Sequence, residues 1–264
     1  DSASPPAAIT IVRQLRGIVC TADRQRLFLE FDGKGALAID RLAHTITGQV
    51  TPLLLTEQHL LDRLLVGSLT LLLREWSIFP VHGFSAARNG QAVLLVGESG
   101  SGKTTAGLAL VRRRWRFLAN DLSLLCETDQ GLHLLSCPER IHATVETALF
   151  FPELESLIDG HEDKVGFHVD DVYADALVDR ATVRWLLFPR ITGGGSTRLR
   201  PLSASEALIA LLPHTMASWD RAKASTHLSL LERLVNTTPA YQLELGRDVG
   251  EWHSLLTDPS AKCT

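Results

Sequence analysis

Ala92-Val-Leu-Leu-Val-Gly-Glu-Ser-Gly-Ser-Gly-Lys-Thr104 decides how this chain is read. Ala92 to Val96 is an unbroken apolar run between Asn89-Gly90 and Gly97, the profile of a strand buried on both faces. Gly97-Glu98-Ser99-Gly100-Ser101-Gly102-Lys103-Thr104 then meets G-x-x-x-x-G-K-[ST] at every fixed position, and a helical stretch follows from Lys103 to about Arg113. Strand, glycine loop and helix in that order have a chemical logic. Glycines let backbone N–H groups converge on phosphate oxygens at the positive end of the helix. Lys103 can reach the β- and γ-phosphates, and the Thr104 hydroxyl can ligate Mg²⁺. Residues Gly97 to Thr105 are therefore the candidate nucleotide-phosphate site, with ATP and Mg²⁺ as the expected ligands.

Downstream, Trp115 to Leu118 opens a second apolar run that ends in Asn120-Asp121. A metal held between phosphates needs a carboxylate at the end of a neighbouring strand, and Asp121 meets that need. A strand-ending turn is the plainer alternative. Further β-like runs are Leu122 to Cys126, Leu132 to Cys137 and Val183 to Phe188. Strands separated by a helix of about 11 residues predict a βαβ unit and hence an α/β sheet.

Upstream lie shorter β-like runs: Ile9 to Arg13, Gly17 to Thr21, Arg26 to Phe31 and Gly35 to Ile39, with a turn at Asp32-Gly33. From Thr56, read as an N-cap, Leu60, Leu61, Leu64, Leu65, Leu69 and Leu72 recur at helical spacing. Residues 1–78 thus predict an N-terminal β-plus-helix layer, and 79–264 a core with C-terminal helices. Ser203 to Glu206 is a capping box, a last helix covers Ser225 to Val235, and Gly193 to Thr197 is the candidate mobile loop.

Composition sets the outer bounds. At roughly 150 residues per domain, 264 residues make one large domain or two small ones. Acidic minus basic residues, 30 − 26, gives the formal charge of −4, which excludes a nucleic-acid binder working through bulk charge. No apolar run approaches the roughly 18 residues of a membrane span. Asp1 to Ala8 has neither the basic start nor the apolar core of a signal sequence, and Ser2 to Ala8 is expected to fray. Cys20, Cys126, Cys137 and Cys263 form no Cys-x-x-Cys pair, so reduced thiols and a cytoplasmic setting are expected.

Taken together, Val81-His82-Gly83, the run Val93 to Thr105, Leu108-Ala-Leu-Val111 and Phe117-Leu-Ala-Asn-Asp121 resemble the core of the HPr kinase/phosphorylase family. That family shares its P-loop architecture with PEP carboxykinase. The resemblance covers about residues 78 to 126. It rests on a His 15 residues before Gly97, the loop, and Asn120-Asp121, 17 and 18 residues after Lys103, at the place of the family's acidic pair. It implies an α/β P-loop kinase core of the HPr kinase/PEP carboxykinase type, a mixed sheet with flanking helices. It also implies an active-site role for His82 beside the metal; without it, a His before Gly reads as structural. HPr kinases are hexameric, so a homo-oligomer is a further implication.

Two departures qualify the resemblance. Asn120 stands where the family has Asp, taken as the base for the target hydroxyl, and an amide cannot take up a proton at neutral pH. Either another group serves, with His82 nearest by motif, or transfer relies on positioning and charge neutralisation, or the protein is impaired. The Gly-rich signature associated with HPr recognition is also missing. The chain resembles instead the shortened HPr-kinase-like proteins beside peptide-modification systems, including lasso-peptide clusters. The expected acceptor is a serine hydroxyl of a peptide or small protein, not HPr, with His82 and Asn120 framing it. The alternatives are a catalytically weak nucleotide-binding regulatory module and a small-molecule kinase.

Phosphoryl transfer also needs cations around the moving group. Lys164 is one candidate. Arg190 is the other, since with Gly193 and Arg198 it resembles the family's late basic loop. Each is weighed against an ordinary solvated charge. Arg112 to Arg114 suits a helix C-terminus, and Asp170, Asp171, Asp175 and Asp179 lack the pattern of a calcium loop.

Overall fold

A computed structural model describes residues 10–15, 18–23, 25–31, 33–159, 163–215 and 221–256. The expected fraying of Ser2 to Ala8, the turn residue Asp32 and Cys263 lie outside them. The chain divides into two units, residues 1–79 with 217–227, and residues 80–216 with 228–264.

The first unit is a five-stranded antiparallel meander in sequence order: β1 (Thr10–Leu15), β2 (Ile18–Ala22), β3 (Arg26–Phe31), β4 (Gly35–Asp40) and β5 (Thr45–Val50). Gly33 supplies the positive φ (69°) that closes the β3–β4 turn, with the Lys34 N–H donating to the Phe31 carbonyl at 2.6 Å. Two helices follow, α1 (Pro52–Thr56) and α2 (Gln58–Leu73). Leu27, Leu29, Phe31, Leu37 and Ile39 of the sheet are buried with Leu54, Leu64 and Leu72 of the helices. Thr56 does not cap α2. Thr51 starts the helical segment a turn earlier, its side chain accepting from Leu54 N–H with Pro52 behind it, and Thr56 ends α1 with its hydroxyl on the Leu53 carbonyl. Pro at the first helical position costs no hydrogen bond, so Thr51-Pro52 is the stronger start signal.

The second unit carries the sequence-predicted α/β core. Its strands are β6 (Phe79–Arg88), β7 (Gln91–Val96), β8 (Arg116–Ala119), β9 (Leu122–Thr128), β10 (Gly131–Leu135), β11 (Ile141–Thr144), β12 (Lys164–Phe167), β13 (Arg180–Ile191), β14 (Arg198–Leu202) and β15 (Ala240–Leu245). The helices are α3 (Lys103–Arg112), α4 (Val145–Ala148), α5 (Val169–Val172), α6 (Ala204–Leu211) and α7 (Arg221–Thr237), which also supplies residues to the first unit. The sheet runs β10-β9-β6-β7-β13-β15-β14, and β8 pairs with β6. β7 and β13, and β13 and β15, are parallel, while β6 is antiparallel to both β7 and β8. The crossover β7–α3–β8 therefore joins parallel strands with β6 between them. β11 and β12 form a separate ribbon.

All of Ala92 to Val96 is buried, and α3 is buried along Ala106 to Val111. A helix apolar on every side belongs inside a protein. Trp252 locks it there, its indole N–H donating to the Ala106 carbonyl at 3.0 Å. The Ser203 capping box forms as read, Ser203 Oγ accepting from Glu206 N–H and Glu206 from Ser203 N–H. Gly193 to Ser196 is exposed, but Thr197 is buried, its N–H and hydroxyl both bonded to Asp248 Oδ1 at 2.6 Å.

Gly107 has no room for a methyl group, because a Cβ there would meet the Phe84 ring at 2.4 Å. Phe84 is fully buried and stacked edge-on against Phe117. In an exposed helix Gly→Ala gains up to about 1 kcal/mol. Here Gly107→Ala is expected to reverse that sign and cost about 1–3 kcal/mol by overpacking, read as a lower denaturant midpoint with an unchanged slope.

Candidate phosphate and metal site

The glycine loop leaves the carboxyl end of β7 and enters α3. Gly100 (φ 81°) and Gly102 (φ 98°) hold left-handed backbone that other residues adopt only with strain. Gly102 is doubly required: a Cβ would strike Leu245 at 2.5 Å and Ile191 at 3.3 Å. Lys103 is 7% exposed, and its Nζ donates to the main-chain carbonyls of Gly97 (2.6 Å) and Glu98 (2.9 Å). Burial pulls its pKa down, with the charges of Asp121 and Glu98 opposing. Ser101 Oγ is buried with no hydrogen-bond partner among the described residues. A lysine resting on its own loop, an orphaned hydroxyl and a helix N-terminus fit a phosphate chain.

Beyond the loop opens a cavity of about 600 Å³. Ser99, Gly100 and Gly102 to Thr105 line its floor, and His82 and Asp121 one side. Asp121 stands just past β8, and its carbonyl accepts from His82 Nδ1 (3.1 Å) and from the Gly83 N–H (3.3 Å). A carbonyl can only accept, so Nδ1 carries the hydrogen and neutral His82 keeps its lone pair on Nε2. Gly83 permits the approach, since a Cβ there would press on the Leu95 carbonyl at 2.6 Å.

Lys164 also lines the cavity, from the β11–β12 ribbon, together with His142, Thr144 and Glu146. Arg190 is exposed in β13, in register with Glu244, and is not among the cavity residues. Asn120 is placed differently from the expectation that it frames an acceptor. It is 2% exposed, outside the cavity lining, and its Oδ1 accepts from the Thr104 hydroxyl at 3.4 Å. The amide steadies Thr104 rather than facing a ligand.

For a metal, Thr104 and Asp121 are the residues in place. Among the described residues no group of three or more His, Cys, Asp or Glu gathers to hold an ion. Mg²⁺ needs only one or two protein ligands, with phosphates and water completing its shell.

Two site residues escaped the sequence reading. Glu139, between β10 and β11, accepts with one carboxylate oxygen from the N–H groups of Asp121 (2.7 Å) and Leu122 (3.0 Å). Nothing in Cys137-Pro-Glu-Arg140 signals that a loop so far along the chain clamps this turn. His214 sits with its ring centroid 6.3 Å from that of His82. Burial lowers its pKa, helped by His82 and Lys103 and opposed by Glu98. Only contact across the fold brings these groups to the site.

The protein is a mixed-sheet α/β protein whose glycine loop joins a buried strand to a buried helix. Similarity to known proteins is confined to part of the chain. Over 66 residues it is 38% identical to the HPr kinase/phosphorylase of Geobacillus sp. (strain WCH70), which is 25% of this chain and 21% of that protein. The chain thus matches about a fifth of that relative's length. The solved HPr(Ser) kinase/phosphatase from Coxiella burnetii aligns over 67% of this chain and 93% of its own, with 15% identity and a TM-score of 0.38. No family model matches. The sequence match shows likeness to HPr kinase/phosphorylase over that 66-residue stretch. Among the described residues no helix is long and apolar enough to cross a membrane.

The Glu139 clamp has a direct test. Glu139→Ala should speed amide hydrogen exchange at Asp121 and Leu122 and weaken Mg²⁺-nucleotide binding. Glu139→Gln, which keeps an acceptor oxygen, should restore both. Equal losses in the two variants would mean that the charge of Glu139, not its hydrogen bonds, matters.

Proposed function

We propose that this chain is an ATP- and Mg²⁺-dependent kinase that phosphorylates a hydroxyl, a serine of a peptide or small protein other than HPr. The observation that carries the reading is one cavity lined by the loop's Lys103 and Thr104 together with Asp121 and His82. Lys103 and the loop N–H groups bind the phosphates, Thr104 and Asp121 hold the metal, and Asn120 keeps the Thr104 hydroxyl oriented. When bound, ATP with Mg²⁺ supplies the transferable phosphoryl group. His82 faces the cavity and accepts the hydroxyl proton on Nε2, the nitrogen left bare by its bond to the Asp121 carbonyl. It does the work of the carboxylate that Asn120 replaces. Lys164, His142 and Glu146 offer an acceptor-facing wall of mixed charge, too few groups of one sign to hold a nucleic-acid backbone. The similarity to HPr kinase/phosphorylase supports the class of reaction, and a homo-oligomer and a cytoplasmic setting accompany it as part of the proposal.

Lys103→Ala is expected to cut phosphorylation by about 10²-fold or more with an unchanged melting curve, since the loop is built from backbone. His82→Ala should slow acceptor phosphorylation by about 10²- to 10⁴-fold while ATP affinity by calorimetry stays near wild type. ATP binding with no acceptor turnover in wild type would favour the regulatory-module reading. Full activity in folded Lys103→Ala would remove the loop from the mechanism.

A further inference from the structure

The described cavity is chemically lopsided, and the strand order explains why. The glycine loop leaves β7. On one side lie β6 and β8, which deliver His82 and Asp121, two of the polar groups of the site. On the other lie β13 and β15, parallel to β7, so their carboxyl ends open at the same edge of the sheet as Gly97. Ligands of open α/β sheets bind outside those carboxyl ends. What the two strands deliver is apolar: Ile191, the last residue of β13, and Leu245, the last of β15, with Val249 shortly after.

This apolar side abuts the phosphate loop. Leu245 and Ile191 are the side chains that a Cβ on Gly102 would strike, so no polar layer separates them from the loop. Leu245 is 4% and Val249 6% exposed, packed into the core, whereas Ile191 is 60% exposed although it lines the cavity. An aliphatic side chain open beside an anion site offers a contact surface to the apolar part of a ligand. The backbone of Gly246 and the bonded Thr197–Asp248 pair hold this wall in place.

We infer that the wall formed by Ile191, Leu245 and Val249 is the nucleoside subsite, against which the base and sugar of the nucleotide lie, while the acceptor enters on the His82 and Asp121 side. The inference rests on the kinase reading and adds direction to it. A triphosphate chain is charged along its length and ends in an apolar, π-faced base. Placed over the loop, its metal-binding end falls toward Asp121 and its nucleoside toward Ile191. The reverse placement would set the base against His82 and Asp121 and leave Ile191 bare.

The test compares ATP with inorganic tripolyphosphate, which has the phosphates and no nucleoside. Calorimetry on wild-type protein, Ile191→Ser and Val249→Ser, with melting curves alongside, separates the two ends of the site. Ile191 is exposed, so its replacement carries little risk to folding. ATP affinity is expected to fall by about tenfold in Ile191→Ser, in line with the loss of an apolar contact, while tripolyphosphate affinity stays within about twofold. Unchanged ATP affinity in both variants, or equal losses for ATP and tripolyphosphate, would overturn the subsite and leave the phosphate site intact. Wild-type protein that binds neither ligand would instead overturn the kinase reading, and this inference with it.

Discussion

Everything proposed for this chain depends on a turn of backbone: the loop Gly97 to Gly102, which joins β7 to the start of α3. Such a turn works only if both of its ends are immobile, because the N–H groups must stay aimed without a ligand to hold them. β7 is buried from Ala92 to Val96 between β6 and β13, and α3 is buried through its middle and bonded to Trp252. Gly102 leans on Leu245 and Ile191 from two further strands. The loop is a tight bend between rigid supports.

The same constraint explains how much could be read from sequence. A strand buried on both faces is an unbroken apolar run, a phosphate loop needs glycines at fixed places, and the acidic turn follows from the length of one helix. Those signals are local, so Gly97 to Thr104, Asp121 and the α/β class were legible. β5, β6, β11, β12, β14 and β15 were not. Pro80 and Gly83 disguise β6; the others are short or carry few apolar residues, as in Thr45-Ile-Thr-Gly-Gln-Val50 and Lys164-Val-Gly-Phe167, and their pairing is settled by distant strands. Glu139 and His214 were hidden for the same reason. Asn120 was legible as a departure but not in its role, since only packing shows that it turns inward to Thr104.

Asn120 also changes how the chemistry is divided. A carboxylate at that position would add charge beside Asp121; the amide instead contributes orientation. In the proposed mechanism proton acceptance falls to His82, whose Nδ1 is bonded to the carbonyl of Asp121, the proposed metal ligand. The two proposed roles meet at Asp121, whose backbone Glu139 fastens from another loop. A loose phosphoryl-transfer transition state asks little of early proton removal, so alignment of these groups matters more than the strength of the base.

The central claim is transfer of phosphate to a hydroxyl, and isotope tracing tests it most directly. The full chain is incubated with Mg²⁺, ATP labelled in its γ-phosphoryl group and a serine-containing peptide, and the label is located by mass spectrometry. The account expects the label on a serine oxygen of the peptide, and none there when Lys103→Ala replaces the wild-type chain. Label found only in inorganic phosphate, or left in ATP across a broad panel of hydroxyl-bearing peptides, would contradict it.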